Sequence, residues 1–264
     1  MSDHVLMSKA GGVLTLTLNR PEKKNALTRA MYQALGEAID AANDDASVRC
    51  ILIQANGDMF TAGNDLADFA AVNAGDPEAQ QAQRDGNPLL TALGRARTPL
   101  VAAVHGRAVG VGVTMLLHCD LVFVAEDALL TTPFVNLALL PEAASSILLP
   151  ARIGHVRAFS MFVLGEAVDG RTAAAWGLAN LALPADQVQA RARAAAEAVA
   201  AKPPASVAIT KSLMRDPAQL AARMAEEGRH FVTQLASEEA KEAFAAFADK
   251  RAPDFSKTAA KETA

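Results

Sequence analysis

The run Leu100-Val101-Ala102-Ala103-Val104, followed by His105-Gly106-Arg107-Ala108-Val109-Gly110-Val111-Gly112, decides the fold class. Five apolar residues without alternation predict a strand buried on both faces, as in a mostly parallel sheet. The glycine-spaced segment after it predicts a loop entering a helix that runs through Leu117. Leu121–Ala125 then reads as the next strand. Strands alternating with helices predict α/β architecture with crossover connections.

Upstream, Val13–Leu18 (V-L-T-L-T-L) places Leu14, Leu16 and Leu18 on one face of a strand and Thr15 and Thr17 on the other. Asn19-Arg20-Pro21 ends it, and Thr28 is a predicted N-cap for a helix over 28–39. Residues 48–55 read as a strand closed by the turn Asn56-Gly57-Asp58. Residues 75–88 are polar and predict a mobile excursion before a helix that stops ahead of Pro99. After Pro141 the strand patterns largely stop. Helical patterns follow at 145–149, 155–164, 171–176, 185–201, 205–213 and 218–248. We therefore expect an α/β core over 1–200 and a helical region over 201–264, forming one continuous unit.

The 264 residues suffice for one large domain with a helical appendage. The net charge of −4 comes without a basic stripe, which argues against a nucleic-acid partner. No run of eighteen apolar residues argues for a membrane span. The N-terminus lacks a signal-peptide core and the C-terminal KETA is not a peroxisomal address, so a cytoplasmic protein is expected. Cys50 and Cys119 lie in apolar stretches and read as buried thiols; the sequence leaves a disulfide between them open. His4, His155 and His230 are too scattered for a metal site.

Three segments stand out chemically: Met59-Phe60-Thr61-Ala62-Gly63-Asn64-Asp65-Leu66, the His105 to Gly112 stretch, and Pro133-Phe134-Val135-Asn136-Leu137-Ala138-Leu139-Leu140-Pro141-Glu142. Each follows a strand-like or short apolar run, and strand ends are where α/β folds gather ligands. Glycine at a strand-to-helix turn lets the backbone present free N–H groups. Two such loops can aim two donors at one carbonyl oxygen, forming an oxyanion hole. Tight turns alone would also explain Gly63, Gly110 and Gly112.

The ordered series is more telling. Leu18-Asn19-Arg20-Pro21, Lys24-Asn25-Ala26-Leu27, Phe60 to Leu66, Gly110-Val111-Gly112, Cys119-Asp120, Pro150-Ala151-Arg152-Ile153-Gly154, Gly177-Leu178 and the 237–255 segment with Lys250-Arg251 together resemble the crotonase (enoyl-CoA hydratase/isomerase) superfamily. The resemblance covers nearly the whole chain. It implies a spiral of strand–strand–helix turns, a helical trimerisation region, an acyl-CoA substrate, no separate cofactor, and a homotrimer or dimer of trimers. It assigns the oxyanion N–H groups to Asn64 and Val111. Val111 stands where many hydratases have glycine, which narrows the space beside the thioester. It assigns CoA contacts to Lys24, Ala26, Leu27 and Ala62, with Asp65, Phe134, Phe247, Lys250 and Arg251 as further contacts.

Hydratases of the family use two glutamates. The resemblance places Thr114 and Phe134 at those positions, and neither can serve as a carboxylate base. Glu142, in Leu139-Leu140-Pro141-Glu142-Ala143-Ala144, remains. Burial without a basic neighbour would raise its pKa, while a helix beginning near Pro141 would partly oppose the rise. This wording, with Asn64-Asp65-Leu66 and Val113-Thr114, resembles the peroxisomal-type Δ3,Δ2-enoyl-CoA isomerases of fatty acid β-oxidation. It implies double-bond migration with Glu142 as proton shuttle. Hydration or another crotonase reaction is the near alternative, and a non-catalytic acyl-CoA-binding scaffold the remote one. Asp65 and Asp68 read as loop or cap residues, and His105, His118 and Asp120 as structural. Ser145 and Ser146 lack a His–acid partner and do not suggest a nucleophile.

Overall fold

The structure is a computed structural model, and it describes residues 3–65, 76–77, 81 and 86–258. Asp68 and most of the polar stretch over 75–88 lie outside the described residues.

The strands are β1 (Val5–Ala10), β2 (Val13–Leu18), β3 (Cys50–Ala55), β4 (Leu100–Val104), β5 (Arg107–Val109), β6 (Leu121–Ala125), β7 (Leu129–Thr131), β8 (Val168–Asp169) and β9 (Leu181–Leu183). The helices are α1 (Arg29–Asp44), α2 (Pro88–Arg95), α3 (Val111–Thr114), α4 (Ser145–Ile153), α5 (His155–Phe159), α6 (Gly170–Ala175), α7 (Ala185–Ala200), α8 (Pro204–Leu213), α9 (Pro217–Leu235) and α10 (Glu238–Ala248). A six-stranded sheet runs β1-β2-β3-β4-β6-β9, and β5-β7-β8 form a second sheet. Only the β1–β2 pair of the large sheet is antiparallel; β2 onward is parallel.

The path is a spiral. After β4 the chain turns into β5 of the second sheet and then into α3; after β6 it turns into β7. Thr61, beyond β3, forms a parallel bridge with Ala108 in β5, so the first turn follows the same plan. Each turn thus lays one long strand in the large sheet and a short segment beside the second. The mixed α/β expectation holds in this form.

Burial explains the sheet. Every residue of β4 is buried, as are five of six in β3. Burying one such Leu, Ile or Val side chain contributes about 1.5–3 kcal/mol. The alternation in β2 does not mark a wet face: Thr15 and Thr17 are buried too. Arg193 on α7 donates to Thr15 Oγ1 at 2.7 Å, and Gln54 to Thr17 Oγ1 at 3.2 Å, which satisfies both hydroxyls. Thr28 caps α1 by accepting from the Met31 N–H at 3.4 Å, and the helix runs on to Asp44.

Four expectations need correction. The 106–112 stretch is not one loop, because β5 lies inside it. Strands do not end at Pro141: β8 and β9 follow, and β9 extends the large sheet beside β6. The pattern over 218–248 is two helices, because Ser237 accepts from the Ala240 N–H at 3.1 Å and starts a new one. No helix begins near Pro141; α4 begins at Ser145. β1 was not foreseen at all, since only Val5 of its six residues is buried.

Cys50 and Cys119 are free, buried thiols, and burial pushes each up to about 12. No helix among the described residues is long and apolar enough to cross a membrane.

Candidate active site

The first loop is held by Asn25, which is fully buried with φ +53°. Its Oδ1 accepts from the Arg20 N–H at 2.7 Å, and its Nδ2 donates to Asn56 O at 2.8 Å and Met59 O at 2.9 Å. Thr61 donates to Asn25 O at 2.6 Å and accepts from the Gly63 N–H at 3.0 Å. Leu27 N–H bonds to Gly63 O at 2.8 Å and Asp65 N–H to Leu27 O at 3.0 Å, so Asn64 sits in a parallel bridge with Leu27. That geometry turns the Asn64 N–H away from Leu27. Among the described residues no group accepts it.

The second loop presses against the first. Val109 N–H bonds to Thr61 O at 3.1 Å. Gly63 has φ +91°, and a Cβ there would stand 2.8 Å from Val109 O. A Cβ on Gly112 would stand 2.4 Å from Thr61 Cγ2. Glycine at 63 and 112 is therefore what allows the two loops to touch. Val111 is the first residue of α3, so its N–H has no intrahelical acceptor. Two unclaimed N–H groups thus arise on two loops in contact.

Glu142 sits on the short segment before α4. Thr114, fully buried on α3, donates its hydroxyl to Glu142 Oε1 at 2.9 Å. Burial pushes the Glu142 carboxyl up to about 7; the Thr114 hydrogen bond works against the rise, and the nearby charge of Glu227 adds to it. The backbone beyond it is unusual, because Ala143 and Ala144 both occupy the left-handed region, at φ +62° and +54°. Two external groups fix that conformation. Glu227 on α9 accepts from Ala144 N–H at 2.6 Å and Ser146 N–H at 3.0 Å. His118 donates from Nε2 to Ala143 O at 2.8 Å, while its Nδ1 accepts from Arg215 at 2.8 Å. A ring so placed carries one proton, and burial together with the Arg215 charge lowers its pKa to about 3.

Glu142 and Asn64 line one cavity of about 1210 Å³. Leu27, Tyr32, Leu90, Met224, Gly228 and Phe231 contribute to its apolar wall. Tyr32, from α1, donates its phenol to the Asn64 side-chain oxygen, tying that residue to the helix. Glu227 also borders this cavity, but both its oxygens are engaged by backbone N–H groups.

The remaining predicted residues are spread more widely. Asp65 pairs with Arg20 at 2.6 Å, and Arg20 also holds Ala26 O at 3.0 Å, so Asp65 fixes the loop. Lys24 is exposed and pairs with Asp58 at 2.6 Å, and the Ala62 N–H bonds to Lys24 O at 2.9 Å. Phe134 is buried, not a member of the cavity wall; its ring edge lies 3.8 Å from where a Gly110 side chain would start, and it packs on Phe162. Phe247 is 58% exposed and stands outside the cavity of this single chain, as do Lys250, in a left-handed turn after α10, and Arg251, which pairs with Glu242 at 2.5 Å. His105 donates from Nε2 to Gly57 O at 2.9 Å, and Asp120 joins Leu100 N–H to Lys211, so both are architectural. Ser145 Oγ is buried with no hydrogen-bond partner among the described residues, so no base activates it. No group of three or more His, Cys, Asp or Glu among the described residues could hold a metal ion.

Tyr32, Glu227 and His118 were not assigned site roles from sequence. Tyr32 lies on the apolar stripe of α1, and its being the chain's single tyrosine was the available hint. Glu227 sits in a charged run that reads as a solvated helix face.

Two loops offering amide donors, with one carboxyl on the cavity wall left uncommitted among the described residues, form on this spiral of strands a site suited to stabilising charge on a carbonyl oxygen beside a proton-transferring acid. The chain belongs to the enoyl-CoA hydratase/isomerase family, whose model matches residues 8–258. A crystal structure of an enoyl-CoA hydratase/isomerase from Pseudoalteromonas atlantica is 43% identical, with a TM-score of 0.88, covering 96% of this chain and 100% of that one. Enoyl-CoA delta isomerase 2 of Rattus norvegicus is 34% identical over 218 residues, 81% of this chain and 55% of its own length. The 2,3-dehydroadipyl-CoA hydratase of Escherichia coli is 32% identical over 254 residues, 95% of this chain and 98% of its own. Fold and superfamily therefore agree with the resemblance, while the relatives include both reaction types.

Proposed function

We propose that the chain shifts the double bond of a 3-enoyl-CoA to the 2-trans position. The observation that carries this reading is Glu142: it faces the cavity beside Asn64, and the other carboxyl there, Glu227, is committed to the backbone. The thioester oxygen lies between the N–H groups of Asn64 and Val111. Glu142, as carboxylate, takes a proton from C2. The electron pair moves into a dienolate whose oxygen is stabilised by the two amides. The protonated Glu142 returns that proton to C4, and the double bond settles between C2 and C3. A pKa near 7 suits a group that must both take and give a proton near neutrality. Atoms and electrons balance without a metal or redox cofactor, since coenzyme A is part of the substrate.

Positions 114 and 134 support migration over hydration. A buried threonine and a buried phenyl ring stand where a water-activating pair would be needed. Lys24, Ala26, Leu27 and Ala62 are assigned to the CoA approach. Phe247, Lys250 and Arg251 reach a substrate only from a neighbouring copy, in a homotrimer or dimer of trimers.

The test is incubation with 3-enoyl-CoA and with 2-enoyl-CoA. Conjugation of the first with little hydration of the second supports isomerisation. Rapid hydration of the second supports the alternative, in which Glu227 is released from its cap. Calorimetric CoA binding with no turnover of either would leave a scaffold.

A further inference from the structure

The contact between Thr114 and Glu142 goes further than replacing a missing glutamate. We propose that Thr114 is a positioning residue that divides the two oxygens of Glu142, anchoring Oε1 and leaving Oε2 to carry the proton between C2 and C4. This rests on Glu142 being the acid–base group.

Thr114 Oγ1 lies 2.9 Å from Glu142 Oε1 and 3.5 Å from Val111 O, so its single proton is directed to the carboxylate and not back along the helix. No described residue donates to Oε2. Thr114 is fully buried, so solvent does not stand in for its hydroxyl. Its χ1 is restricted by β-branching within a helical turn. The same short helix begins at Val111, one turn earlier. The anchor of the acid and one amide donor therefore share one short helix, and the hydroxyl sets the carboxyl's position relative to the thioester oxygen. In the carboxylate, the lone pair free to take the C2 proton is on Oε2. Once protonated there, Glu142 still accepts from Thr114 through Oε1, so the anchor persists while the proton travels.

The hydrogen bond also favours the charged form, so its loss shifts the acid limb of the rate profile toward higher pH. Glu227, Arg29, Arg95 and Arg229 border the same cavity and stay in place in a Thr114 variant.

The experiment compares Thr114→Val and Thr114→Ser on a 3-enoyl-CoA, with kcat, KM and the pH profile of kcat, alongside Glu142→Gln. The valine variant is expected to lose about tenfold in kcat, the worth of one hydrogen bond to a charged group. KM should stay within about twofold, because thioester binding is untouched. Its acid limb should move up in pH, and serine should restore both. Should the valine variant melt below assay temperature, Thr114→Ala is read by the same criteria. A valine or alanine variant with wild-type kcat and an unmoved limb overturns the proposal. If Glu142→Gln keeps full activity, the reading of Glu142 falls. If it is inactive while Thr114→Val is normal, only the anchoring role falls.

Discussion

The carboxylate of Glu227 reaches from α9 to accept the Ala144 N–H at 2.6 Å. It does so at the one place among the described residues where two successive alanines hold left-handed backbone. Such a conformation costs on the order of 1–3 kcal/mol per residue and needs outside support. Glu227 supplies it, together with His118.

Glu227→Ala should therefore act at a distance. Two backbone donors lose their acceptor, which costs about 1–3 kcal/mol each when they remain buried. The expected outcome is a lower denaturation midpoint together with a loss of isomerase kcat of at least about tenfold. Denaturant unfolding and steady-state kinetics on the same preparation check it. An unchanged midpoint would mean the clamp is incidental.

The pH behaviour follows from Glu142. Its folded-state pKa of about 7 lies above the ordinary 4.5, so the stability linked to its proton is present below about 4.5 and is lost as pH rises through 7. Activity should rise along a limb near 7, because the base must be ionised. Glu142→Gln should abolish activity and gain about 1–3 kcal/mol over the native protein between pH 5 and pH 8. Thermal melts at the two pH values measure this directly. A constant difference would show that Glu142 is not desolvated.

Tyr32→Phe keeps the ring and removes the phenol that Asn64 accepts. The fold should be preserved, since the ring is only 7% exposed and packs as phenylalanine would. The Asn64 amide loses its brace, and kcat/KM should fall about three- to tenfold. Kinetics with a matched melting curve tests it; a lowered melting point with unaltered kcat/KM would make Tyr32 a packing residue only.

Gly63→Ala should fail more severely. Its φ of +91° disfavours any side chain, and the new Cβ would meet Val109 O at 2.8 Å. Pushing the loops apart should cost about 1–3 kcal/mol and separate the two amide donors. Both the melting point and the binding of an acyl-CoA product, followed by calorimetry, should drop.

Legibility from sequence was uneven for physical reasons. β3, β4 and β6 are buried on both faces and announce themselves as unbroken apolar runs. β1 could not, with one buried residue, and β7 and β8 are too short for any periodicity to register. The two glycine loops and Glu142 stood out because glycine spacing and an acid in apolar company are local signals, while the choice of Asn64 and Val111 as amide donors came from the family resemblance. Thr114 was noted as a residue that is not glutamate and as part of the Val113-Thr114 resemblance; its bond to Glu142 spans 28 positions and leaves no local trace. Glu227 is 83 residues from the amide it caps. The acid's loop was read as a helix start because Pro141-Glu142 looks like one, and the left-handed pair that moves the start to Ser145 is made of alanines, which give no warning.

α9 has two duties that weigh differently on its positions. Ala221, Met224 and Gly228 border the cavity, and among the described residues nothing outside the helix's own backbone lies within 4 Å of a methyl added at Gly228. A change of side chain at those sites alters the cavity wall without touching the hydrogen bonds that hold Ala144 and Ser146. A change at the neighbouring position 227 removes both of those acceptors, so adjacent positions of one helix differ sharply in what they tolerate.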